Sequence, residues 1–352
     1  MENLFVFIMA GGSGERFWPM SRIATPKHLL RLLSERTLLE EAVNRALAVV
    51  PAERVFVLTN HQQLDACIEA VPSLPKEQFI AEPAKRDTAP AAAFATAIAR
   101  ARRVDAVVAL LPADAMIHDS ATYQRQLSDA ALNASASNAL FTFSIPPTFA
   151  ATGYGYLKLD GVVDSAKGSS TIFRVERFVE KPDPDTAEEY VASGQYGWNA
   201  GMFIWRAEAF LAECDRLSPP LGTFIREFPS GDFSGYVAEK FEHLPKISVD
   251  FAIMEQAQSV MAVKAEFDWD DVGTWTALPT HLGRDDSENT LKGGHSVIDS
   301  HNNIVIANSR HVALCGVSDL VVVETADAVL VCHRNSVQRI KNLHAHLPEE
   351  LR

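Results

Sequence analysis

The chain has 352 residues, 47% hydrophobic and 22% charged, with a formal net charge of −13, which allows one large domain and a small one around a sizeable core. That charge excludes non-specific nucleic-acid binding, whose affinity comes from Lys and Arg neutralising phosphates, but not a nucleotide ligand, for which a few placed cations and backbone amides suffice. Cys67, Cys214, Cys315 and Cys332 are far apart without CxxC spacing, and read as reduced core thiols rather than disulfides or a zinc site.

The apolar run 4–10 has no basic start and is too short for a signal peptide or a membrane span. A cytoplasmic protein with no membrane partner is expected. Residues 4–9 form a continuous apolar stretch ending in glycines, as a buried parallel strand does. Similar runs follow at 55–58, 106–111 and 139–143. Helices are expected between them at 38–50, at 89–103 with Thr88 as cap and Pro90 in the first turn, and at about 122–136. Strand alternating with helix predicts an α/β domain with a mainly parallel sheet. Strands are expected next at 153–157, 173–181 and 202–205. After Asp285 the texture becomes short β-like runs, at 295–299, 303–307, 313–315, 320–324 and 328–332, which suit a meander or a β-helix turn. The division is therefore placed at 1–285 and 286–352.

Six segments carry candidate chemistry. Met9-Ala10-Gly11-Gly12-Ser13-Gly14-Glu15-Arg16 follows the first strand. Gly11 and Gly12 let a backbone approach phosphate oxygens, Arg16 adds a fork-shaped cation, and Lys27 could add a point charge. The pattern is neither a Rossmann fingerprint nor a P-loop, and a tight turn with a surface Arg and Lys is the plainer alternative. Asp114, just past the strand 106–111, stands where open α/β sheets bind ligands and could hold Mg²⁺ on nucleotide phosphates; an isolated Asp there also serves as a cap. Asp271, in Trp269-Asp270-Asp271-Val272-Gly273-Thr274-Trp275, could supply a second metal ligand, or simply a solvated turn. Glu180 and Lys181, ended by Pro182, could meet a sugar hydroxyl and a sugar phosphate, or form an exposed ion pair. Asn199, among small neighbours including Gly197 and Gly201, offers a donor and an acceptor to a sugar, whereas Trp198 reads as core. Glu82 could accept from the guanine N1–H and N2–H₂ edge, while Asp87 and Thr88 also read as helix caps.

In this order the stretches GGSGERFWPMSR, PKHLL, EPAKRDTAPA, LPADAMI, GYGYL, RFVEKPD, WNAGMFIWRA, ISVDFAIME, WDDVGTW and DLVVVETADAVLV resemble the sugar-phosphate nucleotidyltransferase family, and within it the mannose-1-phosphate guanylyltransferase branch. The resemblance spans nearly the whole chain. It implies a Rossmann-like domain followed by a small left-handed β-helix, with GTP and mannose 1-phosphate as substrates, Mg²⁺ as cofactor and a homodimer as one available assembly. It further implies that Gly11, Gly12, Arg16, Lys27, Glu82 and Thr88 hold the nucleotide. Asp114 and Asp271 would bind Mg²⁺, and Gly155, Glu180, Lys181 and Asn199 the sugar phosphate. Arg16, Lys27, Asp114 and Asp271 would be the catalytic set. Departures are Ala115, Asp87 and His28, where family members often carry His, Asn and Gln; these bear on base or sugar preference. Another hexose or heptose 1-phosphate, or a regulatory homologue that binds without turnover, are the competing readings. Ending at Arg352, the chain is expected to lack the isomerase activity of longer relatives.

Overall fold

The structure is a computed structural model that describes residues 1–12, 14–163 and 167–352. The first part runs β1 (Leu4–Met9), α1 (Leu38–Leu47), β2 (Val55–Asn60), α2 (Leu64–Ala70), β3 (Phe79–Glu82), α3 (Thr88–Arg102), β4 (Val107–Pro112), α4 (Ser120–Ser135) and β5 (Leu140–Ile145). Next come β6 (Gly155–Val162), β7 (Ile172–Glu180), α5 (Pro184–Ser193) and the long β8 (Tyr196–Arg206). Helices α6 (Ala207–Leu217), α7 (Pro219–Arg226) and α8 (Ser234–Lys240) precede β9 (Val260–Lys264) and α9 (Leu278–Leu282).

These strands form one mixed nine-stranded sheet in the order β3-β2-β1-β4-β8-β5-β9-β7-β6. β3, β2, β1 and β4 are mutually parallel, as are β5 and β9, and β8 runs antiparallel to β4, β5 and β6. Both faces are covered, which explains why β1 is apolar throughout instead of alternating. Leu4, Val6 and Ile8 enter the core on one face, and Phe5 and Phe7 the core on the other. Phe7 stacks on Phe56 at 4.9 Å, and each fully buried side chain of this size contributes roughly 2–3 kcal/mol. On that second face α3 presents a run of buried alanines, Ala89 to Ala99, and so lies close against the sheet.

β2, β4, β5 and β6 run beyond the C-terminal ends expected for them, and β3 and β9 were not expected. β8 was seen only at its end, 202–205. The helix at 89–103 is present, but its cap is Asp87, whose carboxylate accepts from the Thr88 N–H. Thr88 is instead the first helical residue. Two cysteines also differ from expectation: all four are free, yet Cys315 is exposed and Cys332 half-buried, because each lies on a narrow strand with one face to solvent.

The C-terminal part is built from β10 (Thr290–Lys292), β11 (His295–Ile298), β12 (Ile304–Ala307), β13 (Val312–Cys315), β14 (Leu320–Glu324) and β15 (Val329–His333), then α10 (Ile340–His344). β10, β12 and β14 stack in parallel, as do β11 and β13, so successive coils pile up as a β-helix rather than a meander. β15 closes the stack antiparallel to β14. The corners use residues that tolerate left-handed backbone, among them Asp299, Asn302 and Asp319. Buried Asn303 bridges coils, donating to Asn289 Oδ1 at 3.0 Å and accepting from the Leu320 N–H at 2.9 Å.

Glu324 ties the loop after β12 to the stack. Its carboxylate accepts from the backbone N–H groups of Asn308, Ser309 and Arg310 and from the Ser309 hydroxyl. Those bonds, the Arg310 N–H first, pull its pKa from 4.5 down to about 2. A depressed carboxylate stabilises the fold above its ordinary pKa and loses that contribution as pH falls from about 4.5 through about 2. Glu324→Gln is therefore expected to lower Tm at pH 7 and to narrow the gap to wild type on acidification, read by thermal denaturation from pH 7 to pH 3. A constant gap across that range counts against the assignment.

Candidate functional site

The chain leaves β1 through Gly11 and Gly12, where a Cβ would meet nothing within 4 Å because the space ahead is a cavity. Gly14 is required for a different reason. Its φ is +63°, and a Cβ there would collide with the backbone nitrogen of Lys27. The loop thus folds directly onto the turn Lys27–Leu29, while Phe17 and Trp18 anchor it in a core shared with Trp275. Arg16 stays exposed at the rim.

Lys27 is buried, and its ammonium donates to Asp114 Oδ2 at 2.8 Å and to the Asp271 carbonyl. Asp114 follows β4, whose Pro112 pairs with Met9 of β1, so the glycine loop and this acid leave the sheet side by side. Asp271 comes from far along the chain. An antiparallel bridge between Met116 and Asp270 pins its segment beside Asp114. Val272, a β-branched residue at φ +44°, makes the sharp turn after it, and the Val272 N–H donates to Asp270 Oδ1. Asp270 is held in turn by His281 at 2.9 Å, which meets His118 at 3.0 Å.

Enclosure opposes ionisation of Asp114, but the charge and hydrogen bond of Lys27 outweigh it and hold the carboxyl below its ordinary value. Asp271 is pushed up, first by burial and then by repulsion from Asp270 and Asp114, against the Tyr154 hydroxyl that donates to it at 2.6 Å and the Lys27 charge. Burial, aided by the Lys27 charge and opposed by Asp114, lowers His28 to about 4, so this residue is neutral near pH 7.

Two cavities meet here, sharing Gly14, Lys27 and Asp114. One, of about 380 Å³, is also lined by Arg16 and Asp271. The other, of about 390 Å³, runs past Gly11 and Gly12 to Glu82 and Thr88, with Lys85, Arg86 and Lys246 at its edge. Glu82 Oε1 is enclosed there without a hydrogen-bond partner among the described residues, and burial raises its pKa to about 8. The Thr88 hydroxyl accepts from the Val249 N–H at 2.9 Å.

Gly155, Glu180, Lys181 and Asn199 line neither cavity and form a third cluster. Gly155 pairs with Glu180, and a Cβ on it would lie 2.5 Å from Glu180 Oε2. That oxygen is buried and unpartnered among the described residues, while Oε1 accepts from Lys181 at 2.7 Å. The ion pair expected as the plainer alternative is therefore present, with one carboxylate oxygen left over. Asn199 departs from expectation. Its Oδ1 already accepts from the Thr142 hydroxyl at 2.8 Å, and its Nδ2 donates to Asp250 at 3.0 Å, so one N–H is all it has free. Sequence reasoning missed Asp250, in the π-turn Asp250–Met254, whose pKa burial and the Glu180 charge raise to about 7. It also missed Tyr154, whose carbonyl accepts from the Lys181 N–H and whose hydroxyl reaches Asp271, joining this cluster to the acids.

A nucleotidyl transferase family model matches residues 6–283. The chain belongs to that family. A second model, of a mannose-phosphate isomerase/GMP-like β-helix domain, matches residues 293–347. The chain is 36% identical over 349 residues to the alginate biosynthesis protein AlgA of Pseudomonas aeruginosa, covering 96% of this chain and 70% of that one. It is 37% identical over 351 residues to an Escherichia coli mannose-1-phosphate guanylyltransferase, covering 97% and 73%. A Thermus thermophilus crystal structure, described as a mannose-1-phosphate geranyltransferase, superposes with a TM-score of 0.88 at 32% identity, covering 98% of this chain and 99% of that one. No helix among the described residues is long and apolar enough to cross a membrane.

Proposed function

We propose that this nucleotidyltransferase moves GMP from GTP to mannose 1-phosphate, giving GDP-mannose and pyrophosphate. The observation that carries the reading is the Lys27–Asp114–Asp271 cluster where the two cavities meet, one of them ending at the unpartnered Glu82 carboxylate. The name of the Escherichia coli relative supports the same substrates.

The sugar-phosphate oxygen attacks the α-phosphorus in line, and its new bond forms as the bond to the pyrophosphate oxygen breaks. That oxygen is already anionic near neutral pH, so no general base is required. The protein's task is to bring two anions together and to neutralise charge on the transferring group. Arg16, at the rim of the first cavity, stabilises the leaving pyrophosphate. Lys27 keeps Asp114 ionised and ties it to the Asp271 backbone. Asp114 and Asp271 line one cavity close enough for the charge of one to act on the other, and such a pair of hard oxygen donors fits Mg²⁺. Held by Asp114 and Asp271, Mg²⁺ would supply positive charge to the phosphate oxygens and relieve the repulsion between the two acids. Glu82 accepts from the guanine edge. Lys181 takes the sugar phosphate, and Glu180 Oε2 with Asp250 the sugar hydroxyls.

The test is pyrophosphate release from purified protein with Mg²⁺, each of the four common NTPs and a panel of hexose and heptose 1-phosphates. Release with GTP and mannose 1-phosphate alone is expected. Release with another pair overturns the substrates and keeps the chemistry. Binding of a nucleotide sugar without release from any pair points to the regulatory homologue.

A further inference from the structure

The cavity around Arg16, Lys27, Asp114 and Asp271 has one lining residue from outside the nucleotidyltransferase region. This is Lys341, on α10 beyond the β-helix. Three observations give it a role. First, α10 is seated against the glycine loop: Ile340 and Val337 share a buried core with Phe17, Trp18 and Trp275. Second, the chain around α10 is tied to that loop by hydrogen bonds. The Trp18 indole N–H donates to the Leu351 carbonyl at 2.9 Å, and the Ile23 N–H to the Arg352 carbonyl at 3.4 Å. Arg22 adds an ion pair to Asp327 at 3.0 Å. The position of Lys341 is thus set by packing on both sides of the loop.

Third, the charges of the cavity are unequally committed. Its cations are Arg16, Lys27 and Lys341, and its acids Glu15, Asp114 and Asp271. Lys27 is consumed by Asp114 and the Asp271 carbonyl. Lys341 is exposed and has no hydrogen-bond or ion-pair partner among the described residues. An ammonium on a docked helix, facing a cavity that also holds a guanidinium, both without partners among the described residues, is a binding group for a polyanion. With the base at Glu82, as in the reading of the reaction above, the end of the substrate on the Arg16 side of Asp114 would be the β,γ-diphosphate.

We propose that Lys341 binds the β- and γ-phosphates of the nucleotide and the pyrophosphate they become, so that the C-terminal module supplies part of the phosphate site. The proposal rests on the reading of the reaction above and deepens it. It gives the β-helix a chemical task besides its structural one: its terminal helix brings a cation to the leaving group.

The test uses the full chain and the reverse reaction, in which pyrophosphate attacks the nucleotide sugar. Lys341→Met keeps the length of the stem and removes the charge; Lys341→Arg keeps the charge. For Lys341→Met the KM for pyrophosphate should rise about tenfold, as for loss of one charge-assisted hydrogen bond, with the KM for GDP-mannose and Tm unchanged. Lys341→Arg should restore most of the affinity, and the salt dependence of the pyrophosphate KM should be shallower in Lys341→Met than in wild type. An unchanged pyrophosphate KM in Lys341→Met overturns the proposal. If the wild type turns over a different nucleotide sugar, the same comparison is made with that substrate. If it turns over none, the function fails first, and calorimetric titration of Mg²⁺–pyrophosphate into wild type and Lys341→Met decides separately: weaker binding by the variant supports the site, and equal binding removes it.

Discussion

Asp114→Asn is expected to lower kcat by about 10²–10³-fold, the loss that follows removal of one preorganised electrostatic group from a reacting centre. The amide is nearly isosteric and its oxygen can still accept from the Lys27 ammonium, which sits 2.8 Å from Asp114 Oδ2. Lys27 is 9% exposed and Asp114 45% at the side chain, so the pair is partly buried and neutralising the acid costs some stability. A modest fall in Tm is therefore expected with the fold retained, and GDP-mannose binding measured in EDTA is expected to persist. Only the charge is removed, and with it one of the two acids proposed to hold Mg²⁺. The deciding measurement is pyrophosphate release across a Mg²⁺ titration, with Tm recorded on the same samples. A folded variant turning over at near wild-type rate removes Asp114 from the metal assignment.

Legibility in the sequence followed how local each feature is. β1 could be read because both its faces are buried, so every residue from Leu4 to Ile8 is apolar. β9 could not, because Val260–Lys264 becomes a strand by inserting between β5 and β7, a pairing made entirely of distant partners. The β-helix was visible as short runs with polar corners, but the parallel stacking that distinguishes it from a meander depends on register between coils. The site divides the same way. Gly11, Gly12, Arg16 and Lys27 lie close together in the sequence, where the glycines and cations allowed a phosphate site or a plain surface turn. Asp114 and Asp271 gained weight only through the family resemblance, since each alone reads as a cap or turn. Tyr154, Asp250 and Lys341 carry no local pattern. Their positions arise where β6, the π-turn after α8 and the last helix meet the acids and the loop.

The need for Gly14 belongs to the same class. Glycine in a loop suggests flexibility, yet here it answers a left-handed φ and the approach of the Lys27 backbone, which brings the two halves of the motif into one structure. The charged groups of the site are then divided by environment. Asp114 is held ionised by Lys27, whereas Glu82 and Asp250 sit in surroundings that favour their protonated forms. Of the two, Glu82 lines a cavity, and a raised, enclosed group there is one whose charge state a ligand can change.

For Glu82 the consequence is a pH dependence of nucleotide binding with a defined sign. Burial raises its pKa from 4.5 to about 8, so in the free protein it is mostly protonated at pH 6 to 7. Accepting from guanine N1–H and N2–H₂ requires the carboxylate, so binding releases a proton below about pH 8. GDP-mannose is a suitable probe because its diphosphate carries no proton lost in this range. Affinity should rise by about tenfold per pH unit from pH 6 to 7.5 and flatten above 8. Glu82→Gln should bind more weakly at pH 8 and show little of this slope. The same residue affects stability in the opposite sense. A raised carboxyl contributes fully below its unfolded pKa and loses that contribution as pH climbs through about 8. Glu82→Gln should therefore gain Tm relative to wild type between pH 5 and 8 while losing affinity over the same interval. Calorimetric titrations with GDP-mannose at four pH values, paired with melting curves, measure both. A wild-type affinity that is flat in pH, with the Tm crossover still present, would keep Glu82 buried and protonated but take it off the base.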